Sequence, residues 1–216
     1  TTHSLISIGS ITLPVCAYSI CVVKDVFVIG AVDYLFFVLF EFDVDNETIK
    51  IKQGGQQQQF PNTTLCIKCV SYDNREIVVG DNIEGISYVK LKEMKNSLYV
   101  VEMLGKDEYT RRLKGFNVVD DNDSANEMKV IICESDGLVS LVKLNDTEFN
   151  EVDCVDVKEC VVCCDKIKGD VAVSIGLLGG VMMFKVVKCE DEEYKRKVKE
   201  LYIEACTALT NYYFSN

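Results

Sequence analysis

Tryptophan is absent from the sequence, and histidine occurs once, as His3. A Ser or Cys nucleophile of the triad type needs a general base, and a single histidine beside the first residues is a poor candidate for that role. The WD class of β-repeat needs both tryptophan and histidine for its signature. The sequence therefore excludes WD repeats and argues against triad chemistry.

Basic residues are scarce: 23 Lys and Arg stand against 34 Asp and Glu, for a net charge of −11. Such a charge repels a phosphate backbone and forgoes the counterion release on which nucleic-acid affinity rests. Direct nucleic-acid binding is not expected.

No run of 18 uncharged apolar residues occurs, and the most hydrophobic stretch, "YLFFVLFEF" at 34–42, contains Glu41. This stretch predicts a strand and not a membrane span.

The first residues, "TTHSLISIGS", lack methionine, a basic segment and a compact apolar segment. They predict neither a signal peptide nor a natural start, so we expect a fragment, or a chain numbered from partway through a longer one.

The 11 cysteines are scattered inside strand-like runs. That placement favours a reducing compartment, nucleus or cytosol, with the thiols acting as small buried hydrophobes.

Four similar units run along the chain, each a β-rich run, a turn and a second β-rich run. Their turns, at positions 33, 84, 136 and 179, are 51, 52 and 43 residues apart. A four-stranded propeller blade has a period of about 40–50 residues. The hairpins are "VFVIGAVDYLFFVLFEF" (26–42), "EIVVGDNIEGISYVKLKE" (76–93), "KVIICESDGLVSLVKLN" (129–145) and "VAVSIGLLGGVMMFKVV" (171–187).

Flanking segments supply the remaining strands of each predicted blade. One set is "TLCIKCVSY", "REIVVGD", "GISYVKLKE" and "SLYVVEML", and the next is "RRLKGFNVVD", "MKVIICES", "GLVSLVKL" and "FNEVDCVDV". Glycines and acidic residues at the turns fit the positive φ angles of two-residue hairpin turns. We predict an all-β fold, a β-propeller arc of about four blades over residues 1–188. A β-sandwich or barrel is the alternative, because it also gives short strands with regular turn signals.

After the last hairpin the pattern changes to a helical period. Apolar residues recur on one face, and Glu190–Glu193 place negative charge at the expected helix start. We predict an amphipathic helix with an aromatic tail over residues 189–216, packed on the last blade. The apolar face comprises Tyr194, Val198, Leu201, Tyr202, Ala205 and Leu209.

Sites for reactive chemistry are weak in this sequence. No GxxxxGK[ST] or GxGxxG loop occurs, and "GLLGG" (176–180) lies inside a hairpin. Cys66-x-x-Cys69 and Cys160-x-x-Cys163 have zinc-like spacing, but strand residues three apart point to opposite faces, so buried reduced thiols are expected instead. Acidic clusters fall in turns. We predict no catalytic, cofactor-binding or metal-binding residues, and not an enzyme; a metal-dependent or hydrolytic propeller enzyme is the less favoured alternative.

One segment of the chain is similar to a known family. The order "NTTLCIKCVSYDNREIVVGDNIEGISYVKLKEMKNSLYVVEML" followed by "CESDGLVSLVKL", with Gly80-Asp81 and "YVKLKE" as its clearest motifs, resembles the CPSF A subunit region. That C-terminal propeller region occurs in the propeller subunit of splicing factor three-b, the large damaged-DNA-binding protein subunit and the largest cleavage and polyadenylation specificity factor subunit. The resemblance extends from about Gly9 to Phe214.

The ending "ALTNYYFSN" resembles the splicing branch, whereas Gly80-Asp81 departs from the Ser-Asp more usual there. The resemblance implies a nuclear, non-catalytic scaffold of a pre-mRNA splicing complex with a helical-repeat protein partner. It implies no membrane contact and no direct contact with nucleic acid. A cullin ubiquitin-ligase adaptor or a cleavage and polyadenylation scaffold is the alternative. Tyr212, Tyr213 and Phe214 are the candidate protein-interface residues.

Overall fold

A computed structural model of the protein describes residues 10–46, 48–94, 99–119, 128–167, 171–176 and 180–186. Every regular element in these ranges is a strand, which confirms the predicted all-β fold. None of the described residues belongs to a helix that could cross a membrane. The chain divides into two compact regions, Thr1–Phe184 and Lys185–Asn216, and only residues 185 and 186 of the second are described.

The strands form a curled ten-stranded sheet in the order β1-β2-β3-β4-β5-β6-β10-β9-β8-β7 and a three-stranded sheet in the order β11-β12-β13. Neighbours in the larger sheet are antiparallel, except that β6 and β10 are parallel over two residue pairs. The strands are β1 (Ala17–Val23), β2 (Val26–Asp43), β3 (Thr48–Ser71), β4 (Glu76–Asp81), β5 (Ile86–Glu93), β6 (Tyr99–Asp107), β7 (Leu113–Val119), β8 (Lys129–Glu134), β9 (Leu138–Asn145), β10 (Glu148–Asp156), β11 (Val161–Ile167), β12 (Val171–Gly176) and β13 (Val181–Lys185).

The first predicted hairpin lies inside β2. Phe40 N donates to Asp25 O at 2.9 Å, and the Phe27 and Phe40 rings are 4.4 Å apart. An extended segment from residue 25 to residue 40 would span about 50 Å, so β2 must fold back on itself. Asp33, with φ of 58°, lies where the register of β2 with β3 shifts. The predicted reversal at Asp33-Tyr34 is therefore present within one continuous strand assignment.

The next two hairpins close with the same backbone hydrogen bond. Leu91 N donates to Arg75 O, and Leu144 N donates to Met128 O, both at 2.9 Å. We name the successive sets repeat units: the first is 17–60, the second 63–107, the third 113–156 and the fourth 161–184. The second and third units therefore share one hairpin register, whereas the first unit closes one residue earlier, between Asp25 and Phe40.

The hairpin loops are longer than the predicted two-residue turns. Four residues, 82–85, join β4 to β5, and three residues, 135–137, join β8 to β9. Gly85 and Gly137 have φ of 91° and 98°, which a residue with a Cβ adopts only with strain. The glycine positions were predicted correctly, but the loop length was wrong, because three- and four-residue loops also use a residue with positive φ. In the fourth unit, Gly179 lies outside the described residues.

Two apolar clusters join successive repeat units. The first lies between the first and second units and comprises Val23, Val26, Val28, Leu35, Phe37, Leu39, Phe60, Ile67, Ile77, Val79, Val89, Leu91 and Tyr99. The second lies between the second and third units and comprises Val78, Ile86, Leu113, Phe116, Val130, Ile132, Val142 and Phe149.

Strand β4 contributes to both clusters. Ile77 and Val79 belong to the first, whereas Val78 belongs to the second, and all three side chains are at most 1% exposed. Because successive strand residues point to opposite faces, both faces of β4 are covered by apolar side chains. In a two-layer sandwich each strand has only one face in the core. The continuous apolar run "IVV" is therefore the pattern of a strand buried on both sides.

A glycine on the second strand allows the first and second units to approach the units that follow them. A Cβ on Gly30 would lie 2.5 Å from Thr64 Cγ2 of the second unit. A Cβ on Gly80 would contact the Leu113 side chain and lie 2.8 Å from Phe116 Cε1 of the third unit. Because real Cβ atoms do not approach other atoms this closely, both positions require glycine for the observed packing.

The predicted helix and aromatic tail over 189–216, and the domain boundary after residue 188, lie outside the described residues. The number of blades also stays a prediction. What the described residues show is the strands, their pairing and the clusters between units.

Substitution Gly80→Ala should destabilise the fold by about 1–3 kcal/mol, because the added methyl group overlaps Leu113 and Phe116 in a closely packed cluster. The free energy of unfolding from urea titration measures the effect. Gly180→Ala is the matched control, since the one atom within 4 Å that its Cβ would meet in the described part of the chain is Glu159 Oε2, at 3.7 Å. Equal stability of the two variants would contradict close packing at Gly80.

Candidate functional site

The outward face of β1 is apolar and exposed. Tyr18, Ile20 and Val22 alternate along the strand and are 52%, 61% and 43% exposed. We call these three residues the β1 face. The alternate residues point the other way, toward the second unit: Cys21 packs against the first apolar cluster, Val23 belongs to it, and Ser19 Oγ lies 3.5 Å from Thr64 O.

The corresponding strands of later units are covered. Strand β3 buries Ile67 between the first and second units, and β7 buries Leu113 and Phe116 between the second and third. Strand β7 packs against β3 and also against β11. Because β1 is the terminal strand of the larger sheet, no earlier unit covers its outward face among the described residues. The exposure of the β1 face thus reflects its place in the repeat and not a polar sequence.

The fourth unit has exposed apolar residues at the opposite end of the repeat. Val162 on β11 is 44% exposed, and Val181 and Met183 on β13 are 56% and 58% exposed. Both ends of the row of units therefore present apolar strand residues, whereas the two joints between the first three units bury them.

Arg75, with the acidic and aromatic side chains around it, stabilises the turn that follows β1. Arg75 Nη2 lies 3.3 Å from Asp25 Oδ1, and Arg75 Nη1 lies 3.2 Å from Glu93 Oε2. Its guanidinium also sits over the Tyr99 ring, 5.3 Å from the centroid. A guanidinium can bind carboxylates and stack on an aromatic ring at once, so Arg75 ties the β1–β2 turn to the second unit.

A second, more deeply buried arginine cluster links the second and third units. Arg111 Nε is 2.5 Å from Asp107 Oδ2, and Arg111 Nη1 is 2.9 Å from Glu134 Oε1 and 3.4 Å from Glu151 Oε2. The side chains of Arg111, Asp107 and Glu134 are at most 7% exposed. Buried charges of this kind are tolerated only when paired, so the cluster fixes how the two units meet.

The Gly80-Asp81 motif has a structural role in the described fold. Gly80 receives side chains of the third unit, and Asp81 Oδ1 accepts hydrogen bonds from the backbone N–H groups of Ile83 at 2.7 Å and Glu84 at 2.5 Å. Burial raises the pKa of the Asp81 carboxyl above its usual value. The motif therefore shapes the hairpin and the joint between units.

The first cysteine pair is split between two faces, as predicted for a strand. Cys66 packs against the second cluster, whereas Cys69 is close enough to Cys21 to influence the pKa of its thiol. Burial, with a smaller contribution from Cys69, raises the pKa of Cys21 to about 11. No group of three or more His, Cys, Asp or Glu side chains in the described ranges could hold a metal ion.

The expectation of buried thiols is only partly correct. Cys133 is buried, but four cysteines are exposed because they lie at strand ends or on open strand faces: Cys16, Cys69, Cys160 and Cys163. The remaining described cysteines are half-buried.

The predicted interface residues Tyr212, Tyr213 and Phe214 lie outside the described residues. Sequence reasoning did not identify the β1 face, although the alternation in "AYSICVV" could have indicated a strand with two apolar faces. What the sequence could not show is that this strand is the terminal one.

No protein-family model matches the chain, and no curated protein matches it. The resemblance to the CPSF A subunit region therefore stays a prediction.

Substitution Arg111→Met should destabilise the protein by about 3–5 kcal/mol, because it leaves the buried carboxylates of Asp107 and Glu134 without a cation. Lys92→Met is the control: Lys92 pairs with Glu102 on the surface, with the two side chains 54% and 39% exposed, so its loss should cost about 0–1 kcal/mol. Urea unfolding of both variants measures the difference. Similar losses would mean that the Arg111 cluster contributes no more than a surface ion pair.

Proposed function

We propose that this chain is an arc of about four β-propeller blades and serves as a non-catalytic interaction scaffold in a nuclear RNA-processing complex. The complex we favour is the pre-mRNA splicing assembly that contains splicing factor three-b. The proposal draws on the repeated hairpins, on the two apolar clusters between units and on the family resemblance.

The observation that carries the proposal is the contrast between β1 and its counterparts. The β1 face is solvent-exposed, whereas Ile67 and Phe116, on the first strands of the next two units, are buried. In a closed propeller every first strand is covered by the preceding blade, and closure removes exposed strand edges. An arc that needs further blades accounts for this contrast, because a neighbouring blade would cover the β1 face as the first unit covers β3.

The partners follow from the kind of surface that such an arc offers. A net charge of −11 favours basic protein partners and accelerates their encounter. Rigid strands with loops of varied length provide interaction surfaces without reactive groups. The ending "ALTNYYFSN", which resembles the splicing branch, favours a splicing complex with a helical-repeat subunit over the related adaptor and polyadenylation complexes.

Affinity purification of the tagged chain from native nuclear extract tests the proposal. We expect splicing subunits, including a helical-repeat protein, to co-purify, and Ile20→Asp to reduce their recovery at least tenfold, because a carboxylate cannot be buried against a neighbouring blade. Ile83→Asp is the matched control, since Ile83 is 51% exposed in a hairpin loop.

Two outcomes of the purification would contradict the proposal. Recovery of polyadenylation or cullin-ligase subunits in place of splicing subunits would overturn the choice of complex. Equal recovery with Ile20→Asp and Ile83→Asp would show that the β1 face is not an interface.

A further inference from the structure

The joint between the third and fourth units differs chemically from the two joints before it. The second-strand positions are equivalent in "VIGA", "VVGD" and "IICE", so Cys133 occupies the position of Gly30 and Gly80. At the earlier joints the glycine receives a side chain from the next unit. At this joint the equivalent residue has a thiol, and the side chain that arrives from β11 is Cys164.

Register and close approach bring the two sulfur atoms together. Gly115 on β7 is the direct partner of Cys133 on β8, so their side-chain positions share one face of the sheet, about 5 Å apart. Cys164 Sγ lies 3.1 Å from the position that a Cβ on Gly115 would occupy. Because Gly115 has no side chain, the Cys164 thiol can lie over it, beside the side-chain position of Cys133.

The two thiols differ in their exposure to solvent. Cys133 is 0% exposed and Cys164 is half-buried. Asn117 Nδ2 lies 3.5 Å from Cys164 Sγ, within the distance for a hydrogen bond to sulfur. A reagent in solution can therefore reach the Cys164 thiol, whereas the Cys133 thiol is shielded from solvent.

We propose that Cys133 and Cys164 form a disulfide on oxidation, which covalently fastens the three-stranded sheet to the ten-stranded sheet. The bond would join β8 to β11 at the position where earlier units rely on glycine alone. This modification site does not depend on the proposed function, since the thiol contact is a property of the fold.

A low-molecular-weight disulfide such as oxidised glutathione is a sufficient oxidant. The Cys164 thiolate attacks one glutathione sulfur, and the other glutathione leaves as a thiolate that takes up the proton released by Cys164. The Cys133 thiolate then attacks Cys164 Sγ and expels the second glutathione in the same way. Two protein thiols are oxidised to one disulfide, and one glutathione disulfide is reduced to two glutathione thiols.

The reaction should be faster at alkaline pH. The neighbouring Cys133 side chain and burial both raise the pKa of Cys164 above its ordinary value, so the attacking thiolate is scarce at neutral pH. Its fraction rises as the pH approaches that raised pKa.

To test this, the reduced protein is treated with oxidised glutathione at pH 7 and pH 9, the remaining thiols are alkylated, and disulfides are mapped by mass spectrometry of non-reduced digests. We expect a Cys133–Cys164 link that forms at least tenfold faster at pH 9. The linked protein should melt roughly 5–10 °C higher than the reduced protein, because the cross-link restricts the unfolded chain.

Cys164→Ser should abolish the link and the shift in melting temperature, whereas Cys163→Ser, at the exposed neighbouring residue, should change neither. The disulfide map of the wild-type protein needs no variant, so the test remains valid even if a variant folds poorly. A Cys133 that stays alkylatable after oxidation, or a Cys164 linked to Cys66 instead, would overturn the proposal.

Discussion

The close approach of the first three units depends on a glycine at one position of the second strand in the first and second units. Gly30 and Gly80 leave the space into which Thr64 and Phe116 of the following units pack. That approach allows the apolar faces on either side to close into a single cluster at each joint. Without it, the apolar strand faces would remain apart and the hydrophobic contribution to stability would be lost.

Apolar burial and ion pairs have separate roles at these joints. The apolar clusters provide the favourable burial, whereas the arginine clusters around Arg75 and Arg111 fix the relative position of neighbouring units through paired charges. The Arg111 pairs with Asp107 and Glu134 are buried, and buried ion pairs add little net stability but penalise alternative arrangements that would leave them unpaired. The Arg75 pairs are half-exposed, so their contribution is smaller. The outcome is a row of units whose first and last members expose apolar strand residues, among them Ile20 and Met183.

Much of the strand arrangement could be predicted from the sequence, because apolar runs between turn residues recur along the chain. The hairpins around Gly85 and Gly137 were identified from their glycines and acidic neighbours. The exposure of Ile20 could not be predicted, because it depends on β1 being terminal in the sheet. The proximity of Cys133 and Cys164 could not be predicted either. It depends on the pairing of Gly115 on β7 with Cys133 on β8.

Native-state hydrogen exchange, followed by mass spectrometry of peptides, tests the stacking of units most directly. Covered faces on both sides of β4 predict that its amides exchange only through global unfolding, whereas the amides of β1, a terminal strand with one exposed face, should exchange through local opening at least tenfold faster. If β4 exchanged as fast as β1, the claim that successive units enclose β4 on both faces would be contradicted.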